Sequence, residues 1–234
     1  MQHGFEVFGE SALAVALDEF MGWPDEDLSE DDLTDHGPLF YPWFIFNWEY
    51  EADPEYPELN GPEDVTIAEL YAADKAKRLN PLEAQIIEAT ARRPYSFYEI
   101  REVRPGEGYR LQDILCGTVS DVIEKKGSEN ARRGQILFGR VVQIDTVAML
   151  IGCGTVLIPS RMKPELIRFR QWLQRANDPI DAETLYDHDI EIRGLYFDLY
   201  YALMRPPELQ NTDGDPLRFH TIFYEIDAPW LVFE

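Results

Sequence analysis

Lysine and arginine are missing from the first 74 residues of this chain, and the first basic side chain of either kind is Lys75. The same stretch holds 20 of the 44 acidic residues, whereas from Lys75 onward 24 acidic residues accompany 21 basic ones. Nearly all of the formal net charge of −23 therefore lies in the N-terminal third. Such a surplus favours a basic protein partner and predicts neither generic nucleic-acid binding nor membrane binding, because phosphate backbones and anionic lipids would repel it.

Cysteine is also scarce, since Cys116 and Cys153 are the only two in the chain. Two cysteines so far apart do not form a disulfide framework, so we expect buried structural thiols and a reducing, cytoplasmic setting. The N-terminus has no basic segment of the kind that opens a secretory signal. The one long apolar run, residues 141–159, contains Asp145 and two glycines, which favours short buried strands over a membrane span.

Helical spacing dominates the acidic N-terminal region, residues 1–93. Helices are predicted over residues 11–23, 66–79 and 82–92. The aromatic block at residues 40–50 fits a strand or one side of a helix, and we favour a helix whose first turn holds Pro42. The acidic run that precedes this block is predicted to be a solvated segment.

The hydrophobic period changes to strict alternation after Pro94, which predicts strands. Short segments separated by glycine-rich or polar turns suggest a small barrel or a strongly curled antiparallel sheet over residues 94–160. The predicted strands span residues 97–103, 109–115, 118–124, 135–144 and 147–158.

Helical spacing returns in the C-terminal region, residues 161–234. Two helices are predicted, over residues 162–176 and 182–204, and the second carries Asp189 and Arg193 one turn apart. A turn and a final strand at residues 217–226 follow. The fold class is therefore α+β: an acidic helical part, a small barrel or curled sheet, a helical pair and a C-terminal strand. The apolar end predicts a truncated chain or a last segment that packs back.

Sequence motifs for catalysis, cofactor binding or metal binding are weak or absent in this chain. The chain has no nucleophile elbow, phosphate-binding loop or zinc pattern, so no catalytic motif and no cofactor is predicted, and an enzyme is not the favoured class. Glu183, Asp187 and Glu191 recur at intervals of four on the predicted last helix and offer a weak alternative, a carboxylate metal site. A solvated helix face is the favoured interpretation of these three residues.

A basic edge accompanies the predicted barrel. It could contact nucleic acid, but docking of the acidic segment of the same chain is the favoured interpretation. The basic residues are Lys125, Lys126, Arg132, Arg133 and Arg140.

Four segments resemble uncharacterised bacterial proteins associated with the SEC-C motif. That family has a small zinc-binding cysteine cluster, which this sequence lacks, so the resemblance implies no zinc site here. It also implies no activity, because none is established for the family, and its members tend to continue beyond the point where this chain ends. The segments are Tyr95-Ser-Phe-Tyr-Glu-Ile100, Arg104-Pro-Gly-Glu-Gly108, Leu111-Gln-Asp-Ile-Leu-Cys-Gly117 and Gln135-Ile-Leu-Phe-Gly-Arg-Val-Val142.

The function that the sequence favours is a non-enzymatic cytoplasmic interaction module that binds a basic protein through an acidic N-terminal surface. A metal-dependent hydrolase that uses helix carboxylates is one alternative, and an acidic mimic of nucleic acid is another. The sequence does not fix the oligomeric state. The residues predicted to bind the partner are Asp25, Glu26, Asp27, Glu30, Asp31, Asp32 and Asp35.

Overall fold

The computed structural model describes residues 2–9, 11–22, 30–51, 59, 61–75 and 78–204. The predicted α+β architecture with a small barrel is confirmed: a closed barrel of five strands has helices before and after it in the chain. Residues Met1–Tyr201 form one compact unit. No helix within the described ranges is long and apolar enough to cross a membrane.

Within the described residues, five helices precede the barrel. The predicted boundary is wrong at the third, which begins at Glu30 rather than near Pro42, so that Pro38 and Pro42 lie inside it. The fifth helix is fixed by a capping box in which Asn80 and Glu83 each accept the other's backbone N–H. The helices are α1 (Gln2–Phe8), α2 (Ala12–Met21), α3 (Glu30–Phe46), α4 (Ile67–Lys75) and α5 (Pro81–Thr90).

Each predicted strand of the barrel is present. The strand order is β1-β2-β3-β5-β4, closed by pairing of β1 with β4. One pairing, β3 with β5, is parallel, and the others are antiparallel. This order, with a helix between β3 and β4, is the topology of the OB fold, a five-stranded Greek-key barrel. The elements are β1 (Ser96–Arg104), β2 (Gly108–Asp113), β3 (Val119–Ile123), α6 (Lys126–Asn130), β4 (Ile136–Ile144) and β5 (Val147–Cys153).

Alternate residues of each strand point into the barrel, where Tyr98 and Tyr109 pack among aliphatic side chains. A second, aromatic core lies between the outer face of β4 and the helices. Here Phe138 of β4 stacks on Tyr196 with ring centroids 4.5 Å apart, and Phe40 stacks on Phe44 at 5.8 Å. The aromatic block of the sequence is therefore mainly buried core. The buried residues of the barrel interior are Tyr98, Ile100, Tyr109, Leu111, Val122, Leu137, Val141 and Ala148.

Up to residue 204, three α-helices follow the barrel: α7 (Lys163–Gln174), α8 (Ala182–Asp187) and α9 (Asp189–Met204). The prediction of one helix over residues 182–204 is wrong, because the backbone at His188 leaves the helical conformation with φ −112° and ψ 28°. Asp181 caps α8 by accepting the backbone N–H of Thr184 over 2.9 Å. The predicted C-terminal strand and the apolar end of the chain lie outside the described residues.

A candidate acidic binding cleft

An open cavity of about 610 Å³ lies between α2, the C-terminal end of α3, and the junction of α8 with α9. Arg193 is the one basic residue among its lining residues, which come from the described part of the chain. The carboxylates that line it are Glu19, Glu49, Glu51, Asp187 and Asp189.

Two indole groups fix two of these carboxylates. Trp43 donates its Nε1–H to Asp189 Oδ2 over 2.9 Å, and Trp48 donates to Glu19 Oε2 over 3.0 Å. Both tryptophans are almost fully buried, at 2% exposure. They reach different carboxylates because α3 ends at Phe46, and the backbone N–H of Trp48 returns to the carbonyl of Trp43. The aromatic core thus holds the acidic wall in place.

Arg193 is 2% exposed, and its guanidinium already forms an ion pair within the chain. Its Nε donates to Asp189 Oδ2 over 2.7 Å, which confirms the i, i+4 pair expected from the sequence. One Nη donates to the backbone carbonyl of Glu19 over 3.0 Å and to that of Phe20, and the guanidinium lies 4.6 Å from the ring centre of Trp43. Arg193 therefore balances Asp189 and leaves the other carboxylates of the cleft without a counter-ion from this residue.

Glu49 is also engaged. Its Oε1 accepts the Tyr186 hydroxyl over 2.5 Å and lies 2.5 Å from an Nη of Arg92, which also pairs with Glu69. Burial, together with the bond to Glu49, raises the pKa of Tyr186, so this hydroxyl stays protonated as a donor. Glu49 joins the end of α3 to α4, α5 and α8 rather than offering free charge.

Several acceptor oxygens of the cleft have no donor. Glu51 and Asp187 are exposed and make no ion pair with any residue that the structure describes. Asn47 is 6% exposed; its Nδ2 donates to the carbonyl of Arg93, but its Oδ1 has no hydrogen-bond partner, nor does Asp189 Oδ1. Desolvation raises the pKa of Glu19, with Arg193 and the Trp48 N–H opposing that rise. The cleft is therefore rich in acceptors and poor in donors.

The predicted partner-binding residues lie elsewhere. Asp25, Glu26 and Asp27 are outside the described residues, and Glu30, Asp31 and Asp32 are described only as backbone of α3. Asp35 is exposed on α3, where its Oδ2 accepts the Tyr200 hydroxyl over 2.8 Å, and it does not line the cleft. Sequence reasoning missed Glu19 and Asp189 as binding residues and named Asp187 only for the alternative metal site. The signal available for part of the cleft was Glu49 and Glu51, which flank Tyr50 directly after the aromatic helix.

The alternative metal site is not assembled as expected. Because the helix breaks at His188, Glu183 and Asp187 belong to α8 and Glu191 belongs to α9, so the shared helix face does not exist. Asp187 lines the acidic cleft, whereas Glu183 lines a different cavity. Among the residues in the described ranges, no group of three histidine, cysteine or acidic side chains is placed to hold a metal ion.

The two cysteines are free thiols, as expected from the sequence. Burial raises the pKa of Cys116 to about 12, and it raises the pKa of Cys153 to about 12 as well. A thiol with such a pKa is almost wholly protonated at neutral pH and is a poor nucleophile. Neither cysteine lines the acidic cleft.

The fold and the cleft together define an α+β protein with a closed five-stranded barrel and an acidic cavity among its helices. The chain belongs to a family of unknown function, DUF7986, whose model matches residues 59–177. No curated protein and no solved structure matches the chain. The family match includes the barrel, but all lining residues of the cleft lie outside it, at positions 15–51 and 186–193. The resemblance to SEC-C-associated proteins stays a prediction.

Proposed function

We propose that this protein is a non-enzymatic, cytoplasmic interaction module that binds a basic protein partner, and that the acidic cleft receives a lysine or arginine side chain of that partner. The observation that carries this proposal is the surplus of acceptors in the cleft. Exposed carboxylates of Glu51 and Asp187 have no counter-ion within the described residues, and two buried oxygens, on Asn47 and Asp189, have no donor there.

The chemistry of the missing donor follows from this surplus. Guanidinium and ammonium groups carry several N–H donors and no acceptor, so they satisfy carboxylate and amide oxygens without adding further acceptors. A neutral ligand would leave the carboxylates of Glu51 and Asp187 without a counter-ion. A cationic side chain supplies that counter-ion and gains charge-assisted hydrogen bonds.

The position of the cleft also fits a protein partner. The cavity is open to solvent, and an open site admits a side chain that is still attached to a folded surface. The rest of the N-terminal region, which has no lysine or arginine before Lys75, would attract a basic surface at longer range. The cleft and the surrounding negative charge therefore both favour binding of a basic partner.

The hydrolase alternative has less support from the geometry. Its three carboxylates were predicted to share one helix face, and the break at His188 removes that arrangement. Three carboxylates of the cleft, those of Glu19, Glu49 and Asp189, are instead held by indole, guanidinium and phenol groups, and such bonds favour fixed acceptors over exchangeable metal ligands.

Charge reversal in the cleft tests the proposal. We would compare the double variant Glu51→Lys with Asp187→Lys against the control Glu63→Lys with Asp198→Lys, whose acidic residues are exposed and line no cavity described above. Both variants carry the same net charge, so non-specific attraction changes equally. The probe is a peptide of about nine arginines, titrated into the full chain by calorimetry at about 0.15 M salt, where the Debye length is about 8 Å.

The cleft variant is expected to bind the peptide about tenfold more weakly, a loss of about 1.4 kcal/mol, while the control stays within about twofold of the wild type. Equal weakening in both variants would show that the peptide responds to net charge alone and would contradict the proposal. Circular dichroism of both variants checks that the fold is intact.

A further inference from the structure

A second concave surface has the opposite charge. It is an open groove of about 760 Å³ on the barrel, between the C-terminal half of β1, the start of β2 and the loop that leads from α6 to β4. Its lining residues include four arginines and one acid: Arg101, Arg110, Arg132, Arg133 and Glu102. The groove shares no lining residue with the acidic cleft.

Three of the four arginines have no counter-ion among the residues that the structure describes. Arg101 pairs with Glu99 over 3.0 Å and donates to Gln112 Oε1 over 2.7 Å. The side chains of Arg110, Arg132 and Arg133 are exposed and make no ion pair with any residue in the described ranges.

The acids near the groove do not neutralise these arginines. Glu102 lies opposite Arg110 in the pairing of β1 with β2, yet the two form no ion pair. Asp121, opposite Arg110 on β3, pairs with Arg104 over 3.0 Å. Positive charge in the groove therefore remains available in a chain where acidic residues outnumber basic ones by 44 to 21.

We propose that this groove binds a phosphate monoester, held mainly by Arg110, Arg132 and Arg133. The planar guanidinium fork matches the geometry of phosphate oxygens, and convergent arginines are the usual means of holding a compact dianion. The proposal goes beyond the acidic cleft and its basic partner, because it concerns another surface and a ligand of opposite charge.

A compact anion fits better than a nucleic acid strand. Charges beyond a Debye length of about 8 Å are largely screened, so a single phosphate group meets chiefly the local arginines. A long strand would also approach the acidic remainder of a chain whose net charge is −23. In addition, no aromatic side chain lines the groove, so bases would have no stacking surface there.

Titration with defined anions tests the site. The full chain would be titrated with phosphoserine, inorganic phosphate and a single-stranded oligothymidylate, with sulfate as a control anion. The variant is Arg132→Ala with Arg133→Ala, and the matched control is Arg161→Ala with Arg175→Ala, which removes two exposed arginines that do not line the groove.

Phosphoserine is expected to bind the wild type and the control equally and the groove variant about tenfold more weakly, because two of the three arginines that hold the phosphate are removed and Arg110 remains. If inorganic phosphate also binds, and binds more weakly to the groove variant, the phosphate group alone is sufficient for recognition. If only phosphoserine binds, the ligand is a phosphorylated side chain. The proposal is overturned if the groove variant binds phosphoserine like the control, if no phosphate binds the wild type, or if only the oligonucleotide binds. None of these outcomes depends on binding of the arginine peptide to the cleft.

Discussion

Trp43 and Asp189 are 146 positions apart in the chain, and the indole N–H of Trp43 donates to Asp189 Oδ2 over 2.9 Å. The same oxygen accepts Arg193 Nε, so one carboxylate joins α3 to the first turn of α9 and neutralises a buried guanidinium. Asp189 therefore contributes both to the stability of the folded protein and to the negative charge of the cleft.

Loss of the Asp189 carboxylate is expected to destabilise the protein strongly. Asp189→Ala would leave Arg193, at 2% exposure, without its carboxylate partner, and removal of one member of a buried pair costs about 3–5 kcal/mol. Urea unfolding measures this loss. The control Asp198→Ala, on an exposed position of the same helix, should change the free energy of unfolding by less than about 0.5 kcal/mol. A loss at Asp189 no larger than at Asp198 would show that Arg193 needs no partner.

Glu19 predicts a dependence of stability on pH. Its folded pKa is raised by desolvation, so the native state holds the proton more tightly than the unfolded state does. The stability that Glu19 contributes is present below its unfolded pKa and is lost as the pH rises through the folded pKa. Glu19→Gln keeps an acceptor for the Trp48 N–H but does not titrate. The free energy of unfolding of the wild type relative to this variant should therefore fall as the pH rises above 4.5, the ordinary pKa of a glutamate.

Urea unfolding of both proteins across that pH range measures the difference. Glu63→Gln serves as the control, because Glu63 is exposed and lines no cavity described above. A difference that rises with pH would mean that the ionised form of Glu19 is favoured in the native state, contrary to the expectation.

Asp113 holds the turn between β2 and β3. It is 4% exposed, and its Oδ1 accepts the Ser96 hydroxyl and the backbone N–H groups of Leu115 and Cys116 over 2.8–3.0 Å. Burial raises its pKa against the opposing effect of these bonds, so its charge is a cost and its acceptor oxygen is the useful group.

Two substitutions at Asp113 separate charge from hydrogen bonding. Asp113→Asn is expected to retain the stability of the wild type within about 1 kcal/mol at neutral pH, because an amide oxygen still accepts. Asp113→Ala should lose about 2–4 kcal/mol, because buried donors are left unsatisfied. Thermal and urea unfolding measure both losses. If the two variants were equally unstable, the charge rather than the acceptor would be the important feature.

Arg140 is a buried cation that has no carboxylate partner in the part of the chain that the structure describes. It is 0% exposed, two of its nitrogens have no hydrogen-bond partner, and its guanidinium lies 4.6 Å from the ring centre of Tyr95. Since desolvation of a buried charge costs several kcal/mol, an apolar side chain of similar length should be tolerated better. We expect Arg140→Met to raise the free energy of unfolding by about 1–3 kcal/mol, whereas Arg140→Ala should lower it by about 2–5 kcal/mol through a cavity. Chemical unfolding distinguishes the two, and a strongly destabilised Arg140→Met variant would show that the ring contact outweighs desolvation.

Local patterns were sufficient to predict most elements of the fold. Alternation after Pro94 predicted the strands of the barrel, and the helical spacing of residues 82–92 predicted α5, because side-chain periodicity follows directly from backbone geometry. The start of α3 was not predictable in this way. Proline is ordinarily excluded from helix interiors, and the burial of Leu39, Phe40 and Phe44 in the aromatic core outweighs the local cost of Pro38 and Pro42.

The sequence by itself determined the α+β fold class, the strands that form the barrel and the acidic surplus of the N-terminal third. Only the tertiary structure decided which acids form a site. Glu49 meets Tyr186 across 137 positions and Asp189 meets Trp43 across 146, and no sequence spacing reports such contacts. The break at His188 likewise places Asp187 in α8, where it lines the cleft, and Glu191 in a different helix. Charge adds up along a chain, whereas a binding site depends on where the core holds each charge in space.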